Sequence, residues 1–217
     1  MVIDKLPVHE VLHIPSEILE AGDFILLVPG ITEEKFWEIT DEDSNYELID
    51  AVLVIHSPAS TDHETIFRDL MTIFNIYLEK TQEGQVFGSR LVMRLSEGWN
   101  PEPDLMIVTP DRHDLIKNAR LEGPADLVIE ILSKSTRELD LTKKLPRYLD
   151  AGVREVWLID PAKKEIFLYT KSGKNQYLDS TSSEEIHSTV LPSLLLQVRW
   201  LWNREAFPLK EILKQIS

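Results

Sequence analysis

Two acidic residues lie in apolar surroundings, where a carboxylate is costly. Glu130 stands inside the run DLVIEIL (126–132), and Asp104 follows Pro103 at the start of DLMIV (104–108). Burying an unpaired carboxylate costs several kcal/mol, which is comparable to the net stability of a domain. If neighbouring strands bring the two together, their repulsion raises one pKa, and a hard dication such as Mg²⁺ relieves it. The two residues therefore predict a divalent-metal site.

Three further residues could complete this site. Lys144 lies about two helical turns into the element after Glu130 and could reach back toward the strand end. A metal polarises a phosphoryl oxygen and lowers the pKa of a bound water, and a lysine orients the nucleophile or stabilises developing charge. Glu47 and His63 form a second group. A helix N-terminus lowers the proton affinity of histidine, so His63 would serve as a neutral ligand or hydrogen-bond donor.

Each of these residues also has a simpler explanation. An aspartate after proline can cap a turn, and Glu130 can pair with a basic residue in a buried salt bridge. Asp140 and Lys144 are spaced i,i+4 and can form a helix-surface pair worth about 0.3–0.5 kcal/mol. His63 can simply be exposed. The acid at a strand start, the acid within a strand and the basic helix together favour the metal site.

Composition limits the class of protein. The 217 residues are 43% hydrophobic, which suits one domain, and the absence of cysteine excludes disulfides, thiolate nucleophiles and zinc fingers. With no long apolar run and no signal-peptide pattern, we expect a cytoplasmic protein without a membrane segment. The net charge of −14 argues against general nucleic-acid binding, although residues 134–147 are locally positive. The motifs of zinc peptidases, nucleotide triphosphatases, dinucleotide enzymes and serine hydrolases do not occur.

Hydrophobic periodicity and turn residues predict the elements that would position these side chains. Predicted strands are 23–28, 85–95, 104–108, 126–132, 153–160 and 165–170, with a hairpin over 45–57 and further β structure near 177 and 186–190. The predicted helices are a short one capped by Thr32, one over 62–80 capped by Thr61 or Asp62, one over 136–151 and one over 203–216, with Gly84 and Gly152 ending two of them. The passage 126–160 predicts a right-handed crossover between parallel strands. Because Pro146 costs about 3 kcal/mol inside a helix, the 136–151 helix should kink there or begin later.

Several of these segments occur together in a known family. They are YELIDA, HSPAS with His63, PEPDLMIV, GPADLVIEILSKST, DLTKKLPRYLDAGVREVWLIDP and VLPSLLLQV, in that order. Over about residues 24–200 the chain resembles the Uma-type putative restriction endonuclease family, part of the restriction-endonuclease-like PD-(D/E)XK superfamily. The run from Gly123 to Pro161 is the most specific part of the resemblance.

The resemblance implies an α/β (α+β) chain with the restriction-endonuclease-like fold, a central mixed sheet flanked by helices, and an N-terminal β/α extension. The corresponding division is 1–44 as extension, 45–200 as nuclease-like domain and 201–217 as C-terminal helix.

The resemblance also implies roles for individual residues. Asp104 and Glu130 match the metal-binding carboxylates, and Glu47 and His63 match further positions near the site. Leu132 stands where the superfamily has its usual lysine, so the resemblance assigns that role to Lys144, with Lys143 as the neighbouring alternative. Tyr148 matches a structural helix position, and Ala51 replaces the family's usual glycine in the first hairpin.

The implied activity is a Mg²⁺-dependent endonuclease, with Mn²⁺ as an alternative metal, that hydrolyses phosphodiester bonds in DNA as a homodimer. A non-catalytic binding or assembly module that kept the fold is the alternative, favoured by the acidic charge and the absence of a recognition domain. A hydrolase for a smaller phosphorylated substrate is the third reading.

Overall fold

The computed structural model describes residues 23–41, 44–88, 90–173, 176–182 and 185–216. The strands are β1 (Ile25–Pro29), β2 (Tyr46–Ile49), β3 (Val52–His56), β4 (Gln85–Gly88), β5 (Val92–Arg94), β6 (Trp99–Asn100), β7 (Leu105–Val108), β8 (Arg120–Glu122), β9 (Leu127–Ile131), β10 (Glu155–Asp160), β11 (Glu165–Gly173), β12 (Gln176–Ser182), β13 (Glu185–Ile186) and β14 (Leu196–Gln197). The α-helices are α1 (Glu33–Ile39), α2 (Thr61–Thr81), α3 (Arg137–Leu139), α4 (Leu145–Ala151), α5 (Arg199–Trp202) and α6 (Leu209–Ile216), with a 3₁₀ segment at Pro110–Leu115 and a π turn at Asp140–Lys144.

A six-stranded mixed sheet forms the centre of the molecule, in the order β12-β11-β10-β9-β7-β4. β9 and β10 run parallel, as the crossover pattern predicts, while β7 lies antiparallel to β9. Leu105 is the register partner of Ile129, so the preceding residue, Asp104, comes beside Glu130. The pairing of β7 with β9 thus brings the two predicted carboxylates together.

Helices cover both faces of this sheet, which confirms the predicted fold class. Apolar side chains of α2 pack on one face with Trp157 among them. Leu145 and Tyr148 of α4 pack on the other face, against Val128 and Leu158. Because β9 and β10 are buried on both faces, they are nearly continuous in branched apolar residues, as central parallel strands usually are. No helix in the described part of the chain combines the length and the apolar character needed to cross a membrane.

A second, antiparallel sheet has the order β1-β3-β2-β6 and packs with α1. Thr32 caps α1 as predicted, since its hydroxyl accepts a hydrogen bond from Lys35 N. The β2–β3 hairpin turns at Asp50 and Ala51, whose φ angles are 57° and 58°. These angles lie in the left-handed region that glycine adopts without strain and a residue with a Cβ does not.

Replacing Ala51 with glycine is therefore expected to stabilise the protein by about 0.5–1 kcal/mol, because relief of the left-handed strain exceeds the entropy that glycine loses on folding. Urea unfolding measures the difference. Ala151→Gly is the matched control, since Ala151 ends α4 and glycine there should destabilise by a similar amount. An unfolding midpoint for Ala51→Gly at or below that of the unchanged chain would contradict the strain argument.

Several predicted boundaries are wrong. Ser60, not Thr61 or Asp62, caps α2, and that helix ends with Gln82 in the left-handed conformation and not at Gly84. The predicted strand 85–95 is two strands, since β4 joins the central sheet and β5 pairs with β8. In the C-terminal part, the predicted helix over 203–216 begins only at Leu209, as α6, and α5 is separate from it. The predicted β structure at 186–190 is limited to β13, which ends at Ile186.

The predicted helix over 136–151 is not one continuous α-helix, and the part that contains Pro146 begins late, at Leu145. A π turn at Asp140–Lys144 joins α3 to α4, and Pro146 falls in the first turn of α4. Proline lacks the N–H that an uninterrupted α-helix would use there, so the wider turn takes up the irregularity. Gly152 caps the end of α4, as predicted. The π turn also carries Asp140 and Lys144 inward, where both are buried.

Candidate active site

The carboxylates of Asp104 and Glu130 lie side by side at the junction of β7 and β9. Asp104 N lies 3.4 Å from Glu130 Oε2 and donates to it, and Ile131 N donates to Asp104 Oδ2 at 2.7 Å. Glu130 is only 3% exposed, and burial, opposed by Lys144 but reinforced by neighbouring acids, raises its pKa well above the usual range. An acid in this position binds either a proton or a nearby cation.

Lys144 reaches this pair from the π turn. Its Nζ lies 2.8 Å from Glu130 Oε1, 2.9 Å from Glu47 Oε1 and 3.4 Å from Asp140 Oδ1. Burial alone would lower the pKa of Lys144, but the charges of Glu130 and Glu47 raise it well above the usual range. Lys144 is therefore a buried, permanently charged ammonium group.

Lys143, the neighbouring alternative, lies elsewhere. Its side chain is 56% exposed, and its Nζ is 3.8 Å from the carboxylate of the exposed Asp50. Of the two lysines, only Lys144 contacts the carboxylate cluster within the described residues. The i,i+4 pair of Asp140 and Lys144 is present as expected from the spacing, but it is buried and not on the helix surface.

Tyr148 contacts the cluster directly. Its hydroxyl donates to Glu130 Oε1 at 2.6 Å, one turn after Lys144, and the residue is fully buried. Burial and the charge of Glu130 raise the pKa of this phenol well above its usual range. The sequence resemblance implied a structural position for Tyr148, and the geometry adds that it orients the Glu130 carboxylate.

Glu47 connects the second sheet to the cluster. Its Oε1 accepts from Lys144 Nζ and from Glu102 N at 2.7 Å, and its Oε2 lies 2.8 Å from His56 Nε2. Burial raises the pKa of Glu47, but Lys144 and His56 outweigh burial and lower it. Glu47 is therefore an ionised acceptor that holds Lys144 in place.

His63 lies in the first turn of α2, with Nε2 3.1 Å from Asp104 Oδ1. Burial lowers its pKa, but the hydrogen bond and charge of Asp104 outweigh burial, so the net shift is upward. The expectation of a weakened proton affinity was wrong, because the hydrogen bond and the charge of Asp104 raise the pKa of His63. His63 acts as a hydrogen-bond donor to Asp104 in this arrangement.

Sequence reasoning missed two polar residues of the cluster, Glu102 and His56, and it also missed the burial of Asp140. Glu102 lines the cavity with its Oε2 buried and without a hydrogen-bond partner. Burial and the charge of Glu47 raise the pKa of Glu102 to about 8. One signal was present in the sequence, since Glu102 and Asp104 are two residues apart on an extended chain and so share a side.

The donor set fits a hard divalent cation. Five carboxylates line a cavity of about 770 Å³ together with Lys144, namely those of Glu47, Glu102, Asp104, Glu130 and Asp140. No three histidine, aspartate or glutamate side chains in the described ranges are arranged to hold a metal by themselves. Mg²⁺, however, commonly binds one or two carboxylates and keeps several waters. The adjacent oxygens of Asp104 and Glu130 suit this mode, and a cation there would offset the excess negative charge.

If Glu130 holds a metal, Tyr148→Phe should weaken divalent-metal affinity about 10-fold or more, because second-layer hydrogen bonds orient metal-binding carboxylates. Calorimetric titration with Mn²⁺ measures the change. Tyr46→Phe is the control, since Tyr46 lies in β2 and packs against α1 and its neighbours. Equal Mn²⁺ affinity in both variants would show that Tyr148 has a purely structural role.

Comparisons with known proteins agree with this architecture. A solved structure of a putative nuclease belonging to DUF820, from Anabaena variabilis, matches with a TM-score of 0.68 at 20% sequence identity, over 80% of this chain and 98% of that one. At this identity the match shows a shared fold. A search of curated proteins found no match. The model of the Uma2 family, described as a putative restriction endonuclease, matches residues 33–202. The chain belongs to the Uma2 family of putative restriction endonucleases.

Proposed function

We propose that this protein is a metal-dependent endonuclease that hydrolyses phosphodiester bonds in DNA, with Mg²⁺ or Mn²⁺ as its cofactor. The observation that carries the proposal is the buried cluster in which Asp104 and Glu130 lie side by side next to Lys144. The family description and the name of the structural neighbour support the nuclease class. Homodimerisation and a cytoplasmic location remain predictions.

Asp104 and Glu130 would hold the metal. When bound, a hard dication polarises a phosphoryl oxygen and lowers the pKa of a coordinated water. The chain's own part is to hold and orient both carboxylates. His63 donates to Asp104, and Tyr148 donates to Glu130.

Lys144 would stabilise the negative charge that develops on the phosphoryl group. An ammonium group fixed in a buried site acts strongly because the surroundings screen it little. Glu47 holds the lysine together with Glu130, and His56 in turn holds Glu47. Glu47 and His56 are thus positioning residues in this proposal.

One observation favours the alternative of a non-catalytic binding module. The carboxylate oxygens of Asp104 and Glu130 already have protein donors in the described structure, namely His63, Lys144, Tyr148 and two backbone N–H groups. Metal binding would have to replace some of these contacts. A non-catalytic module would also keep such a cluster, because its internal hydrogen bonds stabilise the fold.

Plasmid nicking separates the two candidates. The unchanged chain should convert supercoiled plasmid to nicked or linear DNA with Mg²⁺ or Mn²⁺ and not with EDTA. Asp104→Asn should be inactive, while Asp114→Asn, which changes an exposed aspartate in the 3₁₀ segment, should cleave normally. Absence of cleavage of both single- and double-stranded DNA by the folded protein would favour the binding module. Cleavage by Asp104→Asn at the unchanged rate would place the activity elsewhere.

A further inference from the structure

The cavity around the carboxylate cluster is acidic over most of its lining. Its acidic lining residues are Asp23, Glu47, Asp62, Glu64, Glu102, Asp104, Glu130 and Asp140. The lysines in the same lining are Lys134 and Lys144, and Lys144 is already paired with Glu130 and Glu47. A nucleic-acid strand carries one negative charge per nucleotide, so its phosphates need hydrogen-bond donors or cations next to the cleavage point. A part of the lining that combines a lysine with several hydroxyl groups could supply them.

The loop after β9, residues 132–136, is such a part of the lining. It follows Glu130 and Ile131 directly in the chain and lines the cavity with three hydroxyl residues and the exposed Lys134. Ser133 and Thr136 hold the loop's shape, because Ser133 Oγ lies 3.1 Å from Thr136 Oγ1 and accepts from Thr136 N at 3.1 Å. Ser133 Oγ also lies 3.0 Å from Ser135 Oγ and can donate to it, which leaves the two donors of Ser135 for another partner.

Both donors of Ser135 converge on a single carboxylate. Ser135 N donates to Asp23 Oδ2 at 3.2 Å, and Ser135 Oγ donates to Asp23 Oδ1. Asp23 precedes β1 and is exposed, so charge screening makes this contact a weak contributor to stability. Two donors that bind the two oxygens of one carboxylate can bind two oxygens of a phosphate in the same way. Asp23 also adds negative charge to the lining of a cavity that has to accept a negatively charged nucleic-acid strand.

We propose that Ser135 and Lys134 form a subsite for a phosphate of the substrate strand next to the cleaved bond, and that the Asp23 carboxylate occupies this subsite until the phosphate displaces it. The inference rests on the proposed function, because it takes a nucleic-acid strand as the substrate. Ser135 and Lys134 would bind the phosphate. Asp23, which precedes the second sheet in the chain, would compete with it.

Binding of a fluorescein-labelled DNA oligonucleotide, measured by anisotropy with Ca²⁺ in place of Mg²⁺, tests the subsite without requiring cleavage. Asp23→Asn should tighten binding about 3–10-fold, because asparagine can still accept from Ser135 but no longer repels phosphate. Ser135→Ala and Lys134→Gln should each weaken binding by a similar factor. Lys134→Gln should also reduce the salt dependence by about one phosphate contact.

Asp62→Asn is the matched control, since Asp62 lines the same cavity without contacting Ser135 in any described bond. Its effect on affinity should be clearly smaller than that of Asp23→Asn. Equal effects would show general charge repulsion and overturn the subsite. A lower unfolding temperature for Asp23→Asn with unchanged affinity would overturn it as well, because Asp23 would then only fasten β1 to the core.

The subsite and the proposed function fail in different ways. Suppose that Asp23→Asn tightens oligonucleotide binding and Ser135→Ala weakens it, but the protein never nicks plasmid. This result would support the phosphate subsite and contradict the nuclease. Metal-dependent nicking with the same oligonucleotide affinity in all variants would contradict the subsite alone. Absence of oligonucleotide binding by every variant would also overturn it.

Discussion

Glu130→Gln is expected to lower the initial plasmid-nicking rate by about a thousandfold or more while leaving the protein folded. The rate falls because the amide cannot replace the carboxylate as a metal ligand next to Lys144, and the loss of one charged group in a catalytic cluster commonly costs a factor of 10²–10³ or more. The fold should persist for two reasons. Glutamine has the shape of glutamate. In addition, the raised pKa of Glu130 indicates that burial disfavours the ionised carboxylate, and the neutral amide avoids this cost.

Glu155→Gln is the matched control for this prediction. Glu155 is also a fully buried glutamate, in the neighbouring strand β10, but it accepts from Trp157 Nε1 and from Thr189 and lies outside the cavity lining. Its replacement should reduce stability and leave nicking by the folded protein unchanged. If the two variants lose activity to the same extent, the effect belongs to buried carboxylates in general and the role of Glu130 is wrong.

Lys144→Met is expected to lower both stability and activity. Added metal should partly reverse the loss of stability but not the loss of activity. Without metal, the protein should lose about 3–5 kcal/mol of unfolding free energy, because removal of one partner leaves buried carboxylates without their cation. Added Mn²⁺ should restore part of this loss, because a cation bound at Asp104 and Glu130 supplies the missing charge and stabilises the folded state by mass action. Nicking should still fall about 10²–10³-fold even with saturating metal, because the ammonium group that stabilises the phosphoryl charge is absent.

Lys143→Met provides the comparison, since Lys143 is exposed and bound only loosely to Asp50. Its unfolding free energy should change by less than about 0.5 kcal/mol, and its nicking rate should stay close to that of the unchanged chain. Urea unfolding with and without Mn²⁺ gives the first readout and the nicking assay gives the second. A larger activity loss in Lys143→Met than in Lys144→Met would reverse the assignment of the lysine.

Glu130 can be singled out from the sequence, because a carboxylate within a run of apolar residues implies a burial cost. Glu130 in an apolar strand stands out without any knowledge of the fold, and the parallel β9–α–β10 passage follows from periodicity and from the turn residues around Gly152. That Asp104 lies beside Glu130 depends on the antiparallel pairing of β7 with β9. Periodicity does not determine which strands pair, so that contact was available only through the family resemblance.

The missed residues share a physical reason. Glu102 lies between two prolines and His56 ends β3, and both join the cluster only when the second sheet packs against it. Asp140 and Lys144 have the spacing of an exposed helix pair, and the π turn that carries them inward arises from Pro146 and tertiary packing. Likewise, the partition of 85–95 between two sheets depends on long-range pairing that local pattern does not encode.

Whether Asp104 and Glu130 together bind a divalent metal can be tested by calorimetric titration of Mn²⁺ into the purified protein. We expect saturable binding to the unchanged chain and to Glu155→Gln, and loss of that binding in both Asp104→Asn and Glu130→Gln. Unaltered Mn²⁺ affinity in Asp104→Asn and Glu130→Gln, with both variants folded, would contradict this expectation.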